Sequence, residues 1–234
     1  ICLMDSVVCP LCKGELAWRI SSRDESHIVE AETVCQDCHK RFYVKDGIAC
    51  FVDGYDPKGD NWRHGDRFLG AYFEKKPAAR ELLLTTPLEQ LNAADLYARA
   101  SLINDADEKQ NVEKLAYEKA YTATSRQALK EQLAFICRQF QHTEGFVLDI
   151  ASGTGSLVKE LLKNTSVHIL HTDISCHVLQ KSQSALSREE RRRVSYMAFD
   201  VHHMPFRSNA IPYMTTFLGL QNIHDGIAVL EELK

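Results

Sequence analysis

Residues 146–161, FVLDIASGTGSLVKEL, constrain this chain more tightly than any other stretch. Phe146, Val147, Leu148 and Ile150 form an apolar run broken only by Asp149; Gly153 and Gly155 follow, then Leu157, Val158, Leu161 and Leu162 at helical spacing. The pattern predicts a buried strand, a glycine turn and a helix. Glycines let a backbone pass close to a ligand, and the first turn of a helix offers free N–H groups. A phosphate-cradling loop is excluded, because no Gly-Lys-Ser/Thr follows the turn. A dinucleotide turn would place a third glycine at Val158, which weakens that reading. Asp149 at the strand end suits a cationic group such as an ammonium better than a phosphate. On these residues alone an ordinary strand-to-helix turn stays open.

Strands and helices alternate from about residue 144 onward: VHILHTD (167–173), a helix from Ser175 to about Leu186, RVSYMAFD (193–200), IPYMTTFLGL (211–220), and a helix beginning near His224. This predicts an α/β fold with a doubly wound, Rossmann-like sheet over 144–234, preceded by a small β module (1–54) and a linker with a helical segment (55–143). No apolar run reaches the ~18 residues a bilayer span needs, and no basic-then-apolar leader opens the chain. A cytoplasmic protein without a membrane segment is expected. The net charge of −4 is too mild to select or exclude a nucleic acid. The start at Ile1 and the stop at Lys234, inside the helical pattern AVLEELK, suggest that the natural gene continues beyond both ends.

Six of the eight cysteines fall in the first 54 residues. Cys9-Pro-Leu-Cys12 and Cys35-Gln-Asp-Cys38 are two C-x2-C knuckles, 22 residues apart. Two residues between thiolates let both sulfurs face one metal, and four such ligands complete a tetrahedral, structural Zn2+ site with no open position for catalysis. Gly14 is expected to let the first knuckle fold back. The strand-like HIVEAETV (27–34), RFYV (41–44) and IACFV (48–52), with a hairpin turn at Lys45-Asp46-Gly47, complete a ribbon too small to fold without such a staple. Disulfides, a redox pair, or His39 as a ligand are the alternatives; a cytosolic setting and two matched knuckles speak against the first two. Cys2 and Cys50 read as ordinary residues.

The polar YDPKGDNWRHGDR (55–67) reads as a linker. Thr86-Pro87-Leu88-Glu89 predicts a capping box starting a helix to about Leu102, and a second box at Thr124–Gln127 precedes the stripe Leu129, Leu133, Ile136, Phe140. NDADEKQ (104–110) reads as a solvated loop. Trp62, Phe68, Tyr72, Phe73, Tyr97, Tyr117 and Tyr121 fit packing, and equally a lid over a pocket.

Asp149, Asp173 and Asp200 each stand near the end of an expected strand. In a doubly wound sheet such residues converge on one crevice. Asp173 lies 18 residues beyond Gly155, the separation of an acid that accepts ribose hydroxyls, although capping the helix after Ile174-Ser175 explains it as well. DIASGTG, HTDIS, AFDVHHMPF and FLGLQNIHDGIAVLEELK together resemble the successive motifs of class I S-adenosylmethionine-dependent methyltransferases, over about residues 145–234. The resemblance implies S-adenosylmethionine in the crevice: its methionine end near Asp149, Gly153 and Gly155, its ribose on Asp173 beside Ile174, its adenine near Asp200 and Val201, and its methyl group beside the loop from Leu218. Ala151-Ser152 departs from the commoner Gly-Cys of that family, and the strands that normally close its sheet do not follow Lys234. CPLCKGEL with YVKDGIACF resembles the zinc-ribbon protein that partners and activates several methyltransferases.

A methyl sulfonium is already activated, so placement of the acceptor does much of the work and a base is optional. No Asn-Pro-Pro-Tyr or Pro-Cys follows the fourth strand, which disfavours planar-nitrogen and pyrimidine-carbon acceptors by the same resemblance. His202, His203 and His224 lie where a base could act, but none is named as catalytic. An RNA acceptor would be served by Arg188, Arg191, Arg192 and Arg193, interrupted by Glu189 and Glu190; a small-molecule acceptor, slightly favoured, by the lack of a broad basic surface. The rival readings are a non-catalytic zinc-ribbon adaptor or RNA-binding protein, and a nicotinamide dehydrogenase.

Overall fold

A computed structural model describes residues 3–233, with the side chains of Trp62, His64 and Asp66 outside the description, as is Cys2. Two compact units emerge: residues 1–60 with 133–234, and residues 61–132.

The first unit begins with a single helical turn, α1 (Leu3–Ser6), and an antiparallel meander of β1 (Leu16–Arg23), β2 (Ile28–Cys35), β3 (Arg41–Lys45) and β4 (Ile48–Cys50). β1 is a strand the sequence reading did not find: LAWRISSR lacks sustained alternation, and its outer half is exposed. The other three strands match expectation, and Asp46 and Gly47 make the hairpin turn at φ 52° and 77°.

The second helical unit holds α2 (Asn61–Lys75), α3 (Pro77–Thr85), α4 (Ala93–Ala100), α5 (Ala106–Ala120) and the start of α6 (Ala123–Gln139) around Phe73, Leu83, Leu91, Leu96, Val112 and Ala116. Four expectations fail here. The linker read over 55–67 is helical from Asn61 onward, and the box read at Thr124–Gln127 gives way to Thr122, whose Oγ1 accepts from Ser125 N (3.1 Å) as α6 begins at Ala123. Thr86 does not open a capping box; its hydroxyl turns back to the Leu82 carbonyl (2.6 Å) and closes α3, so only a 3-10 turn, Leu88–Gln90, forms before Asn92 caps α4. A threonine serves either helix end, and here the carbonyl behind it wins. NDADEKQ is not a loop: Asp105 accepts from Glu108 N (2.8 Å) and starts α5.

Back in the first unit, Ile136, Cys137 and Phe140 at the end of α6 pack with Leu157, Leu161 and Ile169, the core face expected of that stripe. The chain continues through β5 (Phe146–Asp149), α7 (Ser156–Asn164), β6 (His168–Asp173), α8 (Cys176–Ser184), α9 (Arg188–Arg191), β7 (Val194–Ala198), β8 (Met214–Thr215) and α10 (Gly226–Glu232). The long fourth strand expected at 211–220 shrinks to two residues, with neighbour β5 on one side only. β7, β6, β5 and β8 are parallel, the Rossmann-like order the alternation implies.

One eight-stranded sheet runs β1-β2-β3-β4-β7-β6-β5-β8. β4 pairs in parallel with β7, Ile48 against Tyr196 and Cys50 against Ala198, so the ribbon continues the Rossmann-like sheet instead of standing apart from it. Val7 bridges Phe206, Val8 N donates to Pro205 O (2.9 Å), and Arg207 grips Glu15 through two contacts of 2.5 and 2.6 Å. Phe42, Phe51, Leu148, Leu170, Met197 and Phe199 share one core across that seam. Among the described residues no helix is long and apolar enough to cross a membrane.

Candidate functional site

Parallel pairing sets the three acids side by side at the carboxyl ends of adjacent strands: Asp149 opposite His171, and Asp173 opposite Ala198, two residues before Asp200. The glycine turn is stitched onto β6. Ser152 N donates to Thr172 O (2.9 Å), Thr172 Oγ1 donates to Asp149 O (2.8 Å), and Gly153 N donates to Asp173 Oδ2 (3.1 Å). Gly153 and Gly155 hold φ of 53° and 83°, where a side chain is strained. A Cβ on Gly155 would sit 2.9 Å from His171 Cε1 and 2.7 Å from Ser182 Oγ. His171, fully buried and held between Gly153 O (3.1 Å) and Ser182 Oγ (3.3 Å), is the floor of the turn; burial depresses it to about 4, so it is a neutral spacer. Sequence reasoning missed it, although an unpaired polar residue within the apolar VHILHTD was the available signal.

Asp149 is completely buried, and among the described residues neither carboxylate oxygen has a hydrogen-bond partner. Burial, then the charge of Asp173, raises its pKa well above the usual carboxylate range. Such an acid is costly unless something cationic or a proton joins it. Asp173 is also raised, by burial first, against the pull of backbone N–H groups at Ser175, Gly153 and Ile174.

Asp200 differs. Its Oδ1 accepts from His202 N (3.0 Å) and from His202 Nδ1 (2.8 Å), while His202 Nε2 faces His224 O at 2.8 Å. A ring with an acceptor at each nitrogen satisfies both only when both carry protons. The hydrogen bond to Asp200 raises His202 accordingly, and Asp200 is held low despite its partial burial. Both ring nitrogens of His202 are thus engaged, and the ring orients Asp200; His203 and His224 are exposed. Val201 is buried beneath Asp200, whereas Ile174 (55% exposed) and Leu218 (43% exposed) leave apolar side chains open to solvent beside the strand tips. A cavity of about 570 Å3 lies elsewhere, at the amino ends of β5–β7 between Trp18, Phe146 and His168.

The four knuckle cysteines form the second constellation. Their sulfurs all lie within 4.8 Å of one another, with Cys9 to Cys38 at 3.6 Å and Cys12 to Cys35 at 3.4 Å. Zinc–sulfur bonds of ~2.3 Å in a tetrahedron space sulfurs ~3.8 Å apart. The set fits one zinc, and His39 is outside it. Each knuckle closes through a non-glycine residue at positive φ, Lys13 (59°) and His39 (58°). Gly14 matters for another reason than the expected fold-back: a Cβ there would collide with the Asp37 carboxylate and lie 3.0 Å from Cys35 Sγ.

Of the four arginines only Arg193 is drawn inward, while Arg188, Arg191 and Arg192 are exposed. Arg193 donates to Leu162, Thr165 and Val167 carbonyls at the end of α7, and Arg192 pairs with Glu25 (2.7 Å) and Glu189 (3.4 Å).

Residues 147–234 match the family model described as "Methyltransferase domain", and residues 3–47 the one described as "Trm112p-like protein". A demethylmenaquinone methyltransferase of Thermobifida fusca is 31% identical over 87 residues, 37% of this chain and 36% of that protein. A ubiquinone/menaquinone biosynthesis C-methyltransferase of Burkholderia cenocepacia is 33% identical over 104 residues, 43% and 42% of the two. The chain thus spans less than half the length of these relatives. Among solved structures, a Haemonchus contortus phosphoethanolamine N-methyltransferase complexed with S-adenosylmethionine aligns with TM-score 0.39 and 22% identity, over 44% of this chain and 24% of that one.

Proposed function

We propose, from a chain that joins a Trm112p-like zinc ribbon (residues 3–47) to a class I S-adenosylmethionine-dependent methyltransferase domain (147–234), that it takes part in methyl transfer from S-adenosylmethionine to a small-molecule acceptor. The observation that carries this reading is Asp149: a wholly buried carboxylate without a hydrogen-bond partner among the described residues, under a glycine turn whose N–H at Gly153 is tied to Asp173 on the next strand. Such an acid fits the ammonium of the cofactor's methionine end, reached directly or through ordered water. Asp173, on the neighbouring tip, accepts the ribose hydroxyls; Asp200, oriented by His202, and Val201 take the adenine edge, with Ile174 against its face. Gly153 and Gly155 let the backbone approach, and the loop from Leu218 borders the methyl group.

The cofactor supplies an activated methyl on sulfur. The chain's part is to bind, to orient and to shed water around an in-line displacement. Arg193 is tied to backbone carbonyls and Arg192 to Glu25 and Glu189, which reduces the free charge of the run, and the quinone-biosynthesis relatives are named for small-molecule methylation; both favour a small acceptor over RNA. The ribbon's role is structural: four thiolates around Zn2+ stiffen the meander that covers the β7 edge.

Calorimetry with S-adenosylhomocysteine on the wild type and Asp173→Ala tests this. Binding by the wild type, weakened at least tenfold in the variant, is expected; an adaptor gives no heat with either, and a nicotinamide enzyme gives heat with NAD instead.

A further inference from the structure

Of the stretch read as a linker over 55–67, only 55–60 lies outside α2, and it ends in a buried carboxylate. Asp60 is 6% exposed, and its Oδ2 accepts hydrogen bonds from Tyr55 OH (2.6 Å) and from Ser175 Oγ (2.6 Å). Ser175 is itself a junction. Its Oγ accepts from Val178 N (3.1 Å) as the cap of α8, and its N–H donates to Asp173 Oδ1 (3.1 Å). Sending the hydroxyl proton to Asp60 leaves the Ser175 lone pairs for Val178 and fixes the residue whose N–H holds Asp173. The other Asp173 oxygen takes the Gly153 N–H. An unbroken chain of hydrogen bonds therefore runs from Asp60 through Ser175 and Asp173 to the glycine turn.

We propose that Asp60 is a positioning residue of the crevice, holding Ser175 and through it the Asp173 carboxylate in the orientation that ribose hydroxyls require. The inference rests on the cofactor reading above. Among the described residues, the charges acting on Asp173 include Asp149 from β5 and Asp60 from the 55–60 segment, with Tyr55 and the Cys176 thiol of α8 beside Asp60. The charge of Asp60 adds to burial in raising Asp173. Asp173 must be ionised to accept from two hydroxyls. Asp60→Asn keeps an acceptor for Tyr55 and Ser175 but removes the charge, so Asp173 should ionise at lower pH. Asp60→Ala removes both.

The test is S-adenosylhomocysteine affinity by calorimetry from about pH 4.5 to 8, together with carbon NMR titration of the Asp173 carboxyl in ligand-free protein. Asp60→Ala should weaken binding at neutral pH by ~10-fold or more, and Asp60→Asn by ~3-fold or less. In the Asn variant the acid limb of the affinity profile and the Asp173 titration should both move to lower pH. A merely structural role predicts equal weakening at every pH with an unmoved limb, and that outcome overturns the assignment. If Asp60→Ala does not fold, the Asn variant alone decides. A wild type that binds nothing at any pH sinks the cofactor reading and this inference with it; a binding wild type with an unmoved Asn limb sinks the Asp60 assignment only.

Discussion

Replacing Asp149 with asparagine should make the ligand-free protein more stable and unable to hold its cofactor. Asn has nearly the shape of a protonated carboxyl but never ionises. The Asp149 carboxyl sits at 0% exposure with both oxygens unpartnered among the described residues, and its folded pKa is raised well above 3.8. In the pH interval between the unfolded and the folded value, the unfolded chain has released a proton that the native state keeps. Stability of the wild type therefore falls as pH rises, by about 1.4 kcal/mol per pH unit, until the folded carboxyl itself ionises. Asp149→Asn lacks that slope. Urea unfolding of the two ligand-free proteins, in steps from about pH 4 to 8, should give curves that coincide at the acid end and diverge upward for the variant. The pH at which they become parallel reads the folded pKa of Asp149. Each kcal/mol is worth ~2–4 °C in Tm for a unit of this size. S-adenosylhomocysteine should then stabilise the wild type and leave the variant unmoved. Curves that stay parallel throughout would mean that Asp149 has a partner in solution, and the cationic-pocket argument would fail.

Zinc should be present at one ion per chain and be released only when the four thiolates are modified; Cys38→Ser should lose it and lower the unfolding temperature, as metal analysis and calorimetric melting would show. His202 should titrate above the ordinary imidazole value in proton NMR, contributing stability that is complete below about pH 6.5 and lost as pH rises through its folded pKa; an ordinary titration would remove the cationic link to Asp200. Ala151 stands at φ 50°, so Ala151→Gly should relieve left-handed strain and raise stability by ~1 kcal/mol, whereas a loss would show that the turn is unstrained.

The strand, turn and helix at 146–161 were legible because the signals are local: apolar period, glycine pair, helix period. The same holds for the knuckles, whose geometry is set within four residues each. The three acids were found because a parallel sheet gathers its strand ends wherever they fall in the chain. Asp60 could not be found that way, since its meaning comes from Ser175, 115 residues later. Arg193 misled in the opposite direction: a basic run looks like surface until the carbonyls of Leu162, Thr165 and Val167 are seen to absorb it. Thr86 failed because one hydroxyl satisfies two competing helix ends, and only packing decides between them.

The β4–β7 pairing has a consequence for the order of events on the ribosome. Cys50 leaves the exit tunnel long before its ladder partner Ala198 has been made, so the meander must wait with one flank bare while most of the polypeptide is still being synthesised. The early meander then serves as the template against which the late strand aligns, and the zinc proposed for its four cysteines would have to be captured at that early stage.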